Sequence, residues 1–273
     1  MLAVKGHSQL SPLLEKCCLL LSANESYERA AQDIKVLTGR SVSHSTQQRL
    51  VHRQDLSLMT AGSPVDELSV DGGKIRVRTP LGQPCDWRDY KAVKLHDQMM
   101  GASYQDNPSL IEWVNEQPLD DPLVCLGDGH DGVWNIIAEI GCENQRIEIL
   151  DWYHLMENLA KVDSSQDLLY DLKEMLWEGR VNTAIAILDK CSDNHADKFA
   201  AYLRKHKHRI VNYEYYQLEG LSIGSGAIES GIKQMATRVK ITGAQWRAEN
   251  VPQVLRHRCA YLNGQFSTLE QTA

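Results

Sequence analysis

The sequence predicts an α/β fold behind a small helical region, and three observations carry that prediction. Apolar residues recur at helical spacing through the first 62 residues. From Val65 to Asp151 the period shortens to two, or gives way to short apolar runs, and three of these segments end in Asp. Residues 154–209 then return to helical spacing.

Composition sets the outer limits. The 273 residues suit one large domain or two smaller ones. At 42% hydrophobic and 24% charged, the chain has the make-up of a globular protein and not of a disordered one. The longest apolar run, Cys17 to Leu21, is far too short to span a bilayer, so no membrane partner is expected. Met1–His7 lacks an apolar core and a cleavage site, so no secretion leader is expected. The seven Cys are odd in number and form no C-x-x-C pair, which argues against a disulfide framework and a four-Cys zinc site. A reducing, cytoplasmic location follows.

The net charge of −7 speaks at first against a nucleic-acid partner. The charge is uneven, however. Residues 1–150 carry 14 Lys and Arg against 21 Asp and Glu, and residues 151–200 carry 5 against 10. Residues 201–273 carry 10 against 5, with Arg204–Arg209 as the densest run. A charge run is in itself a solvated face. Segregation of this kind is also what a protein needs if one surface meets phosphates while another holds cations.

Each element has its own signal. A first helix spans 9–22, with Leu10, Leu13, Leu14, Cys17, Cys18 and Leu21 on one face and Ser11-Pro12 at its start. A second runs from Ser26, a capping residue, to Leu37, and Thr38-Gly39-Arg40 ends it. A third, polar helix begins near Ser43 and runs to Arg53. Helix, Gly-containing turn and polar helix form a helix-turn-helix-like pattern, equally the pattern of a small structural bundle. Gln47, Arg49 and Arg53 on the third helix are candidates for contact with base edges and phosphates. Strands are predicted at 67–71, closed by a Gly72-Gly73 turn, then at 74–78 and 89–96, as an antiparallel meander. A helix follows at 108–116, a buried strand at 122–127, a helix from Gly132 and a strand at 146–150. Further helices are predicted at 168–177, 181–188 and 197–209. A Gly/Ser loop at 219–226 precedes a last helix from Ala227 to about Lys240.

The chemistry resides in acidic residues at predicted element ends. Asp71, Asp128 and Asp151 close three strands, the edge of a sheet where α/β proteins gather functional groups. Glu229 follows Gly224-Ser225-Gly226 in the first turn of a helix. Carboxylates drawn from separate elements, without Cys, suit hard cations such as Mg²⁺ or Mn²⁺. Each residue also has a plain structural reading: an Asp-Gly pair makes turns, Asp151 can cap a helix, and Glu229 favours a helix start.

The segments Val70–Arg76, Leu126–Gly129, Ile149–Leu155 and Gly224–Ser230, with Arg238–Arg247 after them, resemble the ISKra4 family of bacterial insertion-sequence transposases. The resemblance covers roughly residues 10–260. It implies a ribonuclease-H-like catalytic domain over 63–273, interrupted by a helical insertion at about 155–213 and preceded by a helical DNA-binding region over 1–62. It implies an Asp-Asp-Glu set in which Asp71, Asp128 and Glu229 hold two Mg²⁺ (or Mn²⁺), with Asp151 and His154 as a catalytic Asp-x-x-His motif whose His orients DNA or the scissile phosphate instead of binding metal. It further implies cleavage of transposon-end DNA and strand transfer into target DNA. Lys233, Arg238, Lys240 and Arg247 would meet the DNA backbone. Double-stranded DNA is the implied partner, a homodimer or higher assembly the implied form on DNA, and the nucleoid the implied location. Family members are commonly longer at the N-terminus. That leaves two alternatives: a shortened copy that only binds DNA, and another ribonuclease-H-like nuclease such as a junction resolvase.

Overall fold

The structure is a computed structural model that describes residues 10–96, 98–191 and 193–266. The first residue of the predicted opening helix, and the leader reading of Met1–His7, fall outside the described residues. The fold is α/β, with one five-stranded mixed sheet of order β3-β2-β1-β4-β5. The strands are β1 (Val65–Val77), β2 (Asp86–Leu95), β3 (Met99–Tyr104), β4 (Leu119–Gly127) and β5 (Arg146–Leu150). β2 and β3 pair antiparallel, whereas β1–β4 and β4–β5 pair parallel. Among the described residues no helix is long and apolar enough to cross a membrane. All seven cysteines are free.

The chain forms two compact units. One comprises Met1–Gly62, Gly72–Trp113 and Ser230–Ala273; the other comprises Ser63–Asp71 and Val114–Glu229. In the first unit, α1 (Pro12–Ser22), α2 (Tyr27–Thr38) and α3 (His44–Arg53) each start at a serine cap. Ser11, Ser26 and Ser43 accept hydrogen bonds from Leu14, Arg29 and Thr46 N–H. Gly39, at φ 69°, ends α2 in the left-handed conformation that glycine adopts without penalty. Cys18, Leu19, Ile34, Val42, Leu50 and Val51 form the shared core of the three helices. The final helix of this unit, α12 (Val251–Leu262), is tied in by polar groups. Arg258 donates to Ala23 O, Asn24 Oδ1, Gln234 O and Thr237 Oγ1. Asn263, just past α12, brackets the backbone of Met100 on β3 with two bonds of 2.9 Å.

The sequence pattern missed α12 and β3 for physical reasons. His257 and Arg258 are buried in α12, so the helix lacks an apolar stripe at those positions. β3 has small or apolar residues throughout Met99–Ala102, all buried, so it shows no alternation.

The expected strand–turn–strand at 67–78 is corrected. β1 is one continuous strand, and Asp71 lies within it instead of at its end. Gly72 and Gly73 make no turn, and neither has a positive φ. Their role is close approach: a Cβ on Gly73 would lie 2.3 Å from Tyr90 Oη.

In the second unit, Val65–Asp71, β4 and β5 carry α5 (Asp131–Ile137), α6 (Trp152–Leu159), α7 (Gln166–Trp177), α8 (Val181–Leu188), α9 (Asn194–His206) and α10 (Tyr213–Leu218). The helical stretch is fastened to β5 by two side chains. Tyr213 Oη donates to Leu150 O at 2.8 Å. Arg209 Nε donates to Glu148 Oε2 at 2.8 Å while its guanidinium lies 3.9 Å over the Trp134 ring. Trp152, Trp177 and Tyr213 pack with ring centroids 4.8–6.3 Å apart.

Candidate active site

The parallel ladders align three of the predicted acids. Val70 is paired with Gly127, and Gly127 with Leu150. Asp71 follows Val70 within β1, whereas Asp128 and Asp151 are the first residues after β4 and β5. Parallel neighbours at one register level share a face and lie about 4.8 Å apart along the ladder. The three acids therefore each follow a residue of one register level. All belong to the second unit, as does Glu229.

Asp128 is partly exposed. Its Oδ1 accepts the His130 N–H at 2.8 Å, and its carbonyl accepts the Trp134 indole N–H at 2.6 Å. Asp71 and Glu229 are also partly buried.

Asp151 differs: it is fully buried and both its oxygens are committed. Oδ1 accepts the His154 N–H at 2.7 Å and so caps α6. Oδ2 accepts from the Ser225 hydroxyl at 2.6 Å and from the Ser225 N–H. Burial pushes this carboxyl up, but the bonds from His154 and Ser225 outweigh it and hold it below the usual carboxylate range. The adjacent Trp152 N–H donates to Ile223 O at 2.9 Å. Loop 219–225 is thus pinned to the end of β5. A Cβ on Gly224 would lie 2.6 Å from the ring of exposed Tyr153, which would have to shift to admit it.

From that pinned loop starts α11 (Gly226–Val239), and the Glu229 N–H donates to Ser225 O at 3.0 Å. His154, one turn along α6, completes the arrangement. Its Nδ1 lies 3.3 Å from Asp151 Oδ1 and 3.9 Å from Glu229 Oε1, and is not aligned for a hydrogen bond with either. Its pKa is raised to about 9, chiefly by the side-chain contact with Asp151. Burial opposes the rise, and the charges of Asp151, Asp128 and Glu157 add to it. Asp151, His154 and Glu229 each offer an atom within 4.8 Å of the others. Both oxygens of Asp151 already accept hydrogen bonds, and the contact with Asp151 favours the protonated form of His154. Glu229 lies beside this pair, with its Oε1 3.9 Å from His154 Nδ1. Asp71, Asp128 and Glu229 are carboxylates, the donor type that suits Mg²⁺ or Mn²⁺, but among the described residues the group whose ligand atoms all lie within 4.8 Å of one another is Asp151, His154 and Glu229.

Ser225 is the site residue that sequence reasoning passed over. Its only signal was its place in a Gly/Ser loop ahead of Glu229. Tyr202 is a second: its hydroxyl is buried without a hydrogen-bond partner, and its phenol is pushed up by burial and by the charges of Asp128 and Asp151.

The predicted DNA contacts divide. Arg49, Arg53, Lys233, Lys240 and Arg247 are exposed. Arg53 pairs with Glu15 at 3.2 Å, and Arg247 reaches Glu249 at 3.9 Å. Gln47 and Arg238 do not lie on the surface and are corrected. Gln47 is fully buried, and its Oε1 accepts the Ser22 hydroxyl at 2.7 Å, so no groove can reach it. Arg238 is only 2% exposed; its Nε donates to Ser22 O, and its guanidinium lies against the rings of Tyr27 and Trp246. No protein-family model and no curated protein matches the chain.

Proposed function

We propose that the chain is an Asp-Asp-Glu transposase of the ISKra4 type, which cleaves transposon-end DNA and transfers the freed strand into target DNA. The observation that carries this reading is the single register level of Asp71, Asp128 and Asp151, with Glu229 braced beside Asp151 by Ser225 and His154. The sheet order and its parallel core are compatible with the ribonuclease-H-like fold that the resemblance implies.

Asp71, Asp128 and Glu229 would hold two Mg²⁺ (or Mn²⁺). When bound, such ions stabilise charge on the attacking and leaving oxygens of a phosphodiester. Asp151 and His154 are positioning residues: the first anchors the loop that leads to α11, and the second holds Glu229 at the rim. The partner is double-stranded DNA, met by exposed Arg49, Arg53, Lys233, Lys240 and Arg247. Two ends brought together call for a dimer or larger assembly, in the nucleoid of a bacterial cytoplasm.

The test uses the purified chain with a duplex that carries a matched element end, in Mg²⁺. Wild type nicks the duplex and frees a 3′-OH. Asp128→Ala lowers that rate by at least about 10³-fold, the scale of losing a main electrostatic contribution to the transition state. Folded wild type that binds the duplex but never nicks it would instead mark a non-catalytic DNA-binding copy.

A further inference from the structure

The first unit contains a cavity of about 470 Å³, well within the range of ligand pockets, that the catalytic reading does not use. Three arginines line it: Arg78, Arg238 and Arg247. The amides of Gln48, Gln245 and Asn250 line it too, and no carboxylate does. Among the described residues Arg78 and Arg238 make no ion pair, and the pair that Arg247 makes with Glu249 is long and largely exposed.

Arg238 is the unusual member. It is almost wholly buried, and its Nη2 has no hydrogen-bond partner. A buried guanidinium without a carboxylate is costly to maintain unless something else supplies the negative charge. The lining residue Tyr27 offsets part of the burial cost on Arg238, the second buried arginine, Arg258, repels it, and Glu25, next to the lining residue Ser26, acts on it only through space.

We infer that this pocket binds a phosphodiester of a nucleic-acid strand. Arg78 and Arg247 grip the phosphate from the rim, Arg238 lends its charge from the floor, and the three amides face sugar or base edges. Two observations favour a polymer over a free anion. Gln48 and His52 line the pocket from α3, and their chain neighbours Arg49 and Arg53 extend the positive charge along the outside of that helix. The unit as a whole carries 19 Lys and Arg against 12 Asp and Glu, net +7. A lone phosphate needs only the pocket, whereas a strand also needs the surrounding charge. The choice of DNA as the polymer rests on the proposed function; the anion chemistry of the pocket does not.

The experiment measures binding of the full chain to a fluorescein-labelled DNA duplex by anisotropy, in EDTA and across a salt series. Arg78→Gln/Arg247→Gln changes two exposed side chains and is expected to weaken binding at least about tenfold. It should also flatten the slope of log affinity against log salt by about 1 for each arginine removed. Arg78→Lys/Arg247→Lys retains the slope, because the charge survives without the bidentate fork. Lys173→Gln/Lys198→Gln, the same charge change in the other unit, leaves affinity within about twofold. The inference is overturned if wild type does not bind the duplex, or if a melting-competent Arg78→Gln/Arg247→Gln protein binds as wild type does. It is overturned equally if a nucleoside monophosphate binds as tightly as the duplex, which would make this a small-molecule pocket. No divalent ion is present, so failure of the cleavage assay and failure of this one are separate results.

Discussion

The unit built from Ser63–Asp71 and Val114–Glu229 carries 24 Asp and Glu against 10 Lys and Arg, net −14, whereas the other carries 12 against 19, net +7. What each buries follows the same division. The acidic unit encloses a carboxylate, Asp151, and offsets its charge with donors from His154 and Ser225. The basic unit encloses two guanidiniums, Arg238 and Arg258. Arg258 spends its donors on carbonyl, amide and hydroxyl oxygens, whereas Arg238 retains a donor without a partner. The chain's modest −7 is therefore the residue of two large and opposite charges. Counting along the sequence blurred them, because the chain passes between the units at Gly62, Asp71, Trp113 and Glu229. One unit is strongly acidic and the other basic.

Three perturbations would break or sharpen this contrast. The largest effect is expected at Asp151. Asp151→Ala leaves the Ser225 and His154 N–H groups buried and unsatisfied, and is expected to cost about 3 kcal/mol of stability. Urea denaturation measures that loss, and a cost below about 1 kcal/mol would show that the loop before α11 does not depend on this carboxylate. In the basic unit the vulnerable point is packing. A Cβ on Gly101 would lie 2.5 Å from the Trp113 ring, itself held by a bond from Nε1 to Met59 O at 2.8 Å. Gly101→Ala is expected to cost about 2 kcal/mol by overpacking. A melting temperature equal to wild type would mean that the ring moves freely aside.

A third effect, which develops only as pH falls, is shared by both units. Burial, aided by Arg209 and Lys205 and opposed by Asp131, lowers the His206 pKa to about 4. Burial, aided by Arg238, lowers that of His257 to about 3. Both folded values lie below the unfolded value of about 6.5. The folded state thus binds fewer protons than the unfolded one between those limits, and stability that is complete above about pH 6.5 declines as pH falls toward 4 and then 3. Denaturation midpoints at several pH values trace that acid limb, and His206→Phe should flatten its upper part. A midpoint that stays constant from pH 7 to 4.5 would refute it.

Much of this was legible in the sequence where one element decides its own fate. Val181–Leu188 is the helix its spacing predicts, and the β4 and β5 segments each run straight into the expected Asp. What stayed hidden depends on a partner distant in sequence. Gly72-Gly73 reads as a turn because glycine's other use, room for Tyr90, is invisible without β2. Gln47 and Arg238 read as surface residues because polar side chains are usually exposed, and only the fold reveals Ser22, Tyr27 and Trp246 around them. The site divides in the same way. Asp151, His154 and Glu229 stand out by type and spacing, whereas the pinning role of Ser225 appears only once loop 219–225 meets the end of β5.

The shared level of Asp71, Asp128 and Asp151 also determines where the gene can tolerate a change of length. Between Val65 and Glu67 on β1 the pairing jumps from Leu119 to Val124, so β4 already accommodates surplus residues there. An extra codon in that stretch adds to an existing irregularity. One between Val124 and Gly127 would slide Asp128 out of step with its neighbours and turn its side chain to the opposite face of the sheet. Because Leu123–Gly127 is buried without a break, the same slip would also set a side chain in the place of Gly127, where a Cβ would lie 2.7 Å from Val133. The lesion of such an allele would lie outside every acidic codon.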